Sequence, residues 1–125
     1  MSKTLYGKKT WLIPDGFWHS KSNGLFPSHE AICVLNTSNK NANLNITLFF
    51  EDREEINDFF YNCEARRTSH IRMDKLVSKK GNVVPIDVPY AILVESDAEI
   101  VVQYSRMDTS QNEMALMTTI AYPID

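Results

Sequence analysis

The residues best suited to chemistry crowd into positions 65–72, ARRTSHIR, where three guanidiniums and one imidazole fall within eight residues. Thr68 and Ile71 favour extended backbone, and side chains on a strand alternate between its faces. One face then carries Arg66, Thr68, His70 and Arg72, and the other Arg67, Ser69 and Ile71. Arginine makes planar, paired contacts to carboxylate or phosphate, so such a row needs anionic partners. Two readings follow. The partners are either a bound anionic or polyhydroxylated ligand, or the chain's own Asp and Glu together with water.

A second polar set lies at other strand ends. Ser28, His29 and Glu30 precede an apolar run, and Gln103, Arg106 and Asp108 close a later one. If these converge with the arginine row, they make a pocket of fork-shaped donors with carboxylates among them. That arrangement suits a ligand needing several directional hydrogen bonds. The competing reading is an internal ion-pair network at a subunit contact, in which Arg66 or Arg106 meets Glu30 or Asp108; burial then demands near-complete hydrogen bonding.

Other chemistries find little footing. No G-x-S-x-G occurs, and neither Cys33 nor Cys63 has a catalytic flank. The four glycines form no phosphate-binding loop. A metal site of His19, His29 and His70 requires the fold to gather three histidines far apart in sequence. An enzyme is therefore not expected, nor a cofactor. With 13 basic and 16 acidic residues the net charge is −3, which disfavours generic nucleic-acid binding. Cys33 and Cys63 sit in apolar segments without metal-type spacing and read as free thiols in a reducing cytosol. The first residues, MSKTLYGKKTWLIP, contain no signal-peptide pattern, and no apolar run is long enough to cross a bilayer. A cytoplasmic protein with no membrane insertion is the expectation.

The elements that must position these groups are short. A strand at 10–14 closes at Pro14 and Gly16, and an aromatic loop holding Phe17, Trp18, His19 and Phe26 follows to residue 28. The apolar run at 30–37 predicts a strand covered on both faces. Leu44, Ile46, Leu48 and Phe50 alternate with Asn45, Thr47 and Phe49, predicting a half-buried strand, and these two are expected to pair as a hairpin. A charged loop at 51–58 leads to an extended segment at 59–72 that breaks near Ala65, where the apolar phase is lost. Residues 90–96 and 99–106 predict a second hairpin, turning at Ser96, Asp97 and Ala98. A last strand is expected at 116–122, with a short helix at 111–117 as the alternative. Seven or eight short strands, no long helix and 125 residues predict one all-β domain over 1–125, an antiparallel β-sandwich.

Several segments together resemble the sensory rhodopsin transducer family: SHEAICVLN at 28–36, ARRTSHIRMDKL at 65–76 and IVVQYSRMDTSQNEMALMTTIAY at 100–122, with KTWLIPDGFW at 9–18 a weaker match. Residues matching the family pattern are Trp11, Gly16, His29, Glu30, Asn36, Arg66, Arg67, Thr68, His70, Arg72, Gln103, Arg106 and Asp108. The resemblance implies a cytosolic β-sandwich that assembles as a homotetramer. It also implies one of three roles: relaying a signal from a membrane photoreceptor, sensing a sugar or related metabolite, or binding DNA. Joined to the residue reading, it gives first a non-enzymatic small-molecule sensor whose ligand meets Glu30, Arg67, His70, Gln103 and Arg106, with Trp11 or Trp18 offering an apolar face to a sugar ring. Second comes an adaptor whose arginine row lies at a subunit or receptor contact. DNA binding through Arg66, Arg67, Arg72 and Lys75 comes third.

Overall fold

The computed structural model describes residues 5–125. Residues 1–4, part of the segment read as lacking a signal peptide, lie outside the described residues. Among the described residues eight antiparallel strands form the fold: β1 (Lys8–Phe17), β2 (His29–Asn36), β3 (Ala42–Phe50), β4 (Ile56–Cys63), β5 (Arg67–Arg72), β6 (Pro89–Asp108), β7 (Ala115–Ile120) and β8 (Tyr122–Ile124). The helical content among the described residues is one 3-10 turn at Met73–Lys75. Residues 111–117, for which a helix was the alternative, run through a loop into β7.

The whole sandwich is organised by β6. Its first half pairs with β1 and β3 in sheet A, ordered β4-β3-β6-β1-β8, and its second half pairs with β2 and β7 in sheet B, ordered β5-β2-β6-β7. One unclosed set of eight hydrogen-bonded strands thus folds into two layers. The hairpin expected at residues 96–98 is therefore absent, and the chain runs on as a single strand of 20 residues. The reason lies in its phase. Tyr90, Ile92 and Val94 point inward, and so do Ala98, Ile100, Val102 and Tyr104, so both halves serve one core without reversing. At the crossing Ser96 Oγ accepts from the Ala98 N–H at 3.1 Å, and Asp97 accepts from the N–H and side-chain amide of Asn43 at 2.9 and 3.0 Å. Those bonds replace ladder bonds that the bend gives up.

The other expected hairpin is also corrected. Strand β2 pairs with β5 and β6, while β3 pairs with β4 and β6, so β2 and β3 lie in different sheets. The Asn/Ser/Lys connection between them crosses the sandwich edge, anchored by Asn36, whose buried amide donates to the carbonyls of Lys40 and Cys63 at 2.9 and 3.1 Å. Strand β1 continues past Pro14 to Phe17, its pairing with β6 shifting register between Ile13 and Gly16, which is how it accommodates the residues read as a stop.

Alternation puts Trp11 and Ile13, Ile32 and Val34, Leu44, Ile46 and Leu48, Phe59 and Ile71 between the layers. The break near Ala65 is a turn with Arg66 at φ 59°, a left-handed conformation a bulky residue adopts when its surroundings impose it. Here its N–H meets the Ser38 carbonyl and its guanidinium the Thr37 carbonyl.

Candidate functional site

Position 30 falls in phase with Ile32 and Val34 on β2, so alternation sends a carboxylate into the core, where Glu30 is 1% exposed. Burying a carboxylate is tolerated when donors surround it. Four do so here, from two strands. The Phe17 N–H of β1 donates to Oε2 at 2.7 Å, the Tyr90 hydroxyl to Oε1 and the Tyr104 hydroxyl to Oε2. Arg106, the register partner of Glu30 across β2 and β6, places Nε 3.4 Å from Oε2 and donates to the Tyr104 oxygen at 3.0 Å.

The electrostatics follow from this packing. Burial pushes the Glu30 carboxyl above its ordinary range, against the opposing pull of the Tyr90 hydroxyl, the Phe17 amide and Arg106. Burial and the neighbouring carboxylate push the Tyr90 phenol far upward, so it stays a donor at all ordinary pH. Phe17 and Tyr90 belong to sheet A, and Glu30, Tyr104 and Arg106 to sheet B. The cluster therefore clasps the two layers at one end of the sandwich.

What adjoins it is small. A hollow of about 30 Å³ bordered by Phe17, His19, Ser28, His29, Arg106 and Asp108 lies beside the guanidinium, space for about one water. Small-molecule sites occupy roughly 300–1,000 Å³, so a sugar ring does not fit. Arg106 Nη2 is buried without a hydrogen-bond partner among the described residues, its nearest carboxylate being Asp15 at 3.8 Å.

The residues singled out from the sequence do not converge. Glu30 and Arg106 meet. His70 lies opposite Cys33, and Cys33 opposite Gln103, so these three form one row across the outer face of sheet B. Arg67 pairs with Asn36 at the far end of β2 from Glu30, exposed and donating to the Arg66 carbonyl at 3.2 Å. Trp11, assigned to a sugar ring, is 4% exposed in the core and donates to the carbonyls of Lys8 and Ile100 at 3.0 and 3.1 Å. It offers no free face. The basic patch is dispersed as well. Arg72 makes a paired contact with Asp74 at 2.8 and 2.7 Å, and Arg66 is folded onto Thr37. The three histidines are likewise apart, His70 on β5 and the other two beside the small hollow.

Tyr90, Tyr104 and the Phe17 amide were missed by sequence reasoning. The signal was available for both tyrosines, which share the inward phase of Ile92 and Val102. Gly16 adds a steric condition. A Cβ there would stand 2.6 Å from the Tyr90 ring, so the bare backbone lets that ring lie against β1 and reach Glu30.

Two layers sharing one long strand, clasped by a buried carboxylate, define the class: an all-β sandwich. The model of the family described as "Anabaena sensory rhodopsin transducer" matches residues 6–123, and the chain belongs to that family. The crystal structure of Thermotoga maritima 1070 is similar at 34% identity, with a TM-score of 0.87, covering 96% of this chain and 97% of that one. The Anabaena sensory rhodopsin transducer itself is 32% identical with a TM-score of 0.74, over 87% of this chain and 96% of that one. No match was found among curated proteins.

Proposed function

We propose that this protein is a non-enzymatic cytoplasmic adaptor that relays a signal through protein–protein contact, working as a homotetramer. The observation carrying this reading is the use of the polar set. Glu30 has its donors inside the fold, and Arg72 is paired to Asp74. The outer surface of sheet B instead offers contact area, with Ala31, Cys33, Val101 and Gln103 half-buried and Leu35 exposed. Strand β2 was expected to be covered on both faces, and a subunit or receptor laid on this face would supply the second cover. The relative from Anabaena carries the name of a rhodopsin transducer, which makes a membrane receptor a natural partner class. Titration of the protein against sensory rhodopsin in nanodiscs, followed by calorimetry, tests this. Saturable binding that persists in Arg106→Ala supports the adaptor. Absence of binding, together with a metabolite that raises the melting temperature of the wild type, overturns it.

The metabolite-sensing reading keeps one specific support. Arg106 Nη2 lacks an acceptor and borders the small hollow, so one hydroxyl or carboxylate oxygen of a sugar or sugar acid would complete it. A thermal-shift panel of sugars, sugar acids and phosphorylated metabolites decides. A ligand at about 100 times its dissociation constant adds about 2.7 kcal/mol to stability, and a hit lost in Arg106→Ala would favour the sensor.

A further inference from the structure

The loop at 18–28 joins two partners of the clasp, since Phe17 ends the strand before it and Glu30 stands just beyond it. It is tied down at Thr109, the residue after β6. From one side the Asn23 N–H donates to the Thr109 carbonyl at 2.7 Å, and Asn23 Nδ2 donates to the same oxygen at 3.3 Å. From the other, the Thr109 N–H donates to Ser28 Oγ at 2.9 Å. Between these ties the chain is open to water from Lys21 to Pro27. The tie at Asn23 depends on a side chain that can be converted in place. Asn23 precedes Gly24, the only Asn-Gly step in the sequence. The Cγ of an asparagine lies within reach of the next residue's backbone nitrogen, and a side chain on that next residue hinders the closure. Gly24 has none. It stands at φ +77°, with no atom of a non-adjacent residue within 4 Å of where a Cβ would lie. Among the described residues its N–H donates to no acceptor. Other asparagines lack this combination: Asn43 and Asn45 lie on β3 ahead of Leu44 and Ile46, and Asn36 is buried ahead of Thr37.

We infer that Asn23–Gly24 is a self-modifying site, at which the chain with water alone exchanges a side-chain amide for a carboxylate and loosens its own loop. The Gly24 nitrogen adds to Asn23 Cγ while the Cγ–Nδ2 bond breaks, and the Gly24 amide proton leaves on the departing ammonia. Water then opens the succinimide at either ring carbonyl. Opening at Cγ gives an ordinary aspartate. Opening at the main-chain carbonyl carbon leaves the backbone running through Cγ, as an isoaspartyl link. Both products exchange the Nδ2 donor for an anionic acceptor, facing the Thr109 carbonyl one residue from the Asp108 carboxylate. Repulsion takes the place of a hydrogen bond there, and the tie weakens. The tie at Ser28 stays, so the loop tip opens while β1 and β2 keep their register. The amide is not remade in water, so each molecule carries a chemical record of its age.

The test follows the full chain by peptide mass during incubation in mildly alkaline buffer, native and urea-unfolded, with isoaspartyl methyltransferase labelling as the second readout. Native wild type is expected to shift at Asn23 to the mass of the carboxylate at a rate close to that of the unfolded chain. The methyl label is expected on the same peptide, with far less at Asn43 or Asn45. Asn23→Gln, whose extra methylene disfavours the ring closure, is expected to show neither. Chymotrypsin reads the consequence, because Leu25 and Phe26 are exposed at the loop tip. Aged wild type and Asn23→Asp are both expected to be nicked there several-fold faster than fresh wild type, with unchanged circular dichroism. An Asn23 that converts in urea but stays intact in the native chain would overturn the site, since the Thr109 tie would then protect it. Conversion with no gain in nicking, in aged protein and Asn23→Asp alike, would overturn the loosening.

Discussion

At Glu30, a single side chain reconciles a charge with a β-sandwich core. Replacing it by Ala leaves two hydroxyls and an amide without their acceptor and the Arg106 guanidinium without its buried carboxylate. Removing one partner of a buried pair costs about 3–5 kcal/mol, so Glu30→Ala is expected to lose that much in urea unfolding, and Glu30→Gln less, because its amide oxygen still accepts. The pH dependence has a definite sign. Burial raises the native carboxyl above its unfolded value, so the native state holds the proton more tightly. Its contribution is full below the ordinary glutamate value and is lost as pH rises through the raised one. Asp74 runs the other way. Burial works against its charge, but Arg72 overcomes this and holds the carboxyl below its ordinary value, so its stabilisation is present at neutral pH and lost as the pH falls. Stability measured against pH is expected to lose the first trend in Glu30→Gln and the second in Asp74→Asn. The latter costs about 1–2 kcal/mol at neutral pH, toward the low end for charged hydrogen bonds because Arg72 is a third open to water.

Among the elements, β6 decides how the site is built, since one strand delivers Tyr90 from one sheet and Tyr104 and Arg106 from the other. Gly16 on β1 makes room for the first of these. Gly16→Ala is expected to push the Tyr90 ring away from Glu30, lowering the melting temperature more than Tyr90→Phe does, because it displaces the ring as well as breaking the bond. Equal shifts would mean that the ring adapts without cost. The strands themselves were largely legible: alternation marked Leu44 to Leu48 correctly, and loss of apolar phase marked the break at Ala65. Partnership was not. The Ser96-Asp97-Ala98 stretch has turn-like residues in both a hairpin and a bent strand, and what separates the two outcomes is which neighbours each half finds, a long-range property. The site was legible in part for the same reason. Glu30 and Arg106 could be named as polar residues near strand ends, whereas register alone shows that Arg67 lies at the opposite end of β2 and His70 on the opposite face from Glu30.

For the whole molecule, the Glu30 cluster is a clasp between two layers at the end of the sandwich, and a fold held this way is expected to unfold as one cooperative unit. The core supplies the bulk of the holding. Leu48 and Ile92, fully buried and paired across β3 and β6, are each expected to lose about 2–5 kcal/mol on truncation to Ala. The central claim is that the polar set serves the fold across its two sheets rather than waiting for a ligand. The most direct measurement is a double-mutant cycle in urea unfolding with Glu30→Ala from sheet B and Tyr90→Phe from sheet A. The clasp predicts strong non-additivity, a coupling of about 1–3 kcal/mol for residues in one hydrogen-bonded network. Two effects that add to within about 0.5 kcal/mol would contradict it and return these side chains to the role of a binding site.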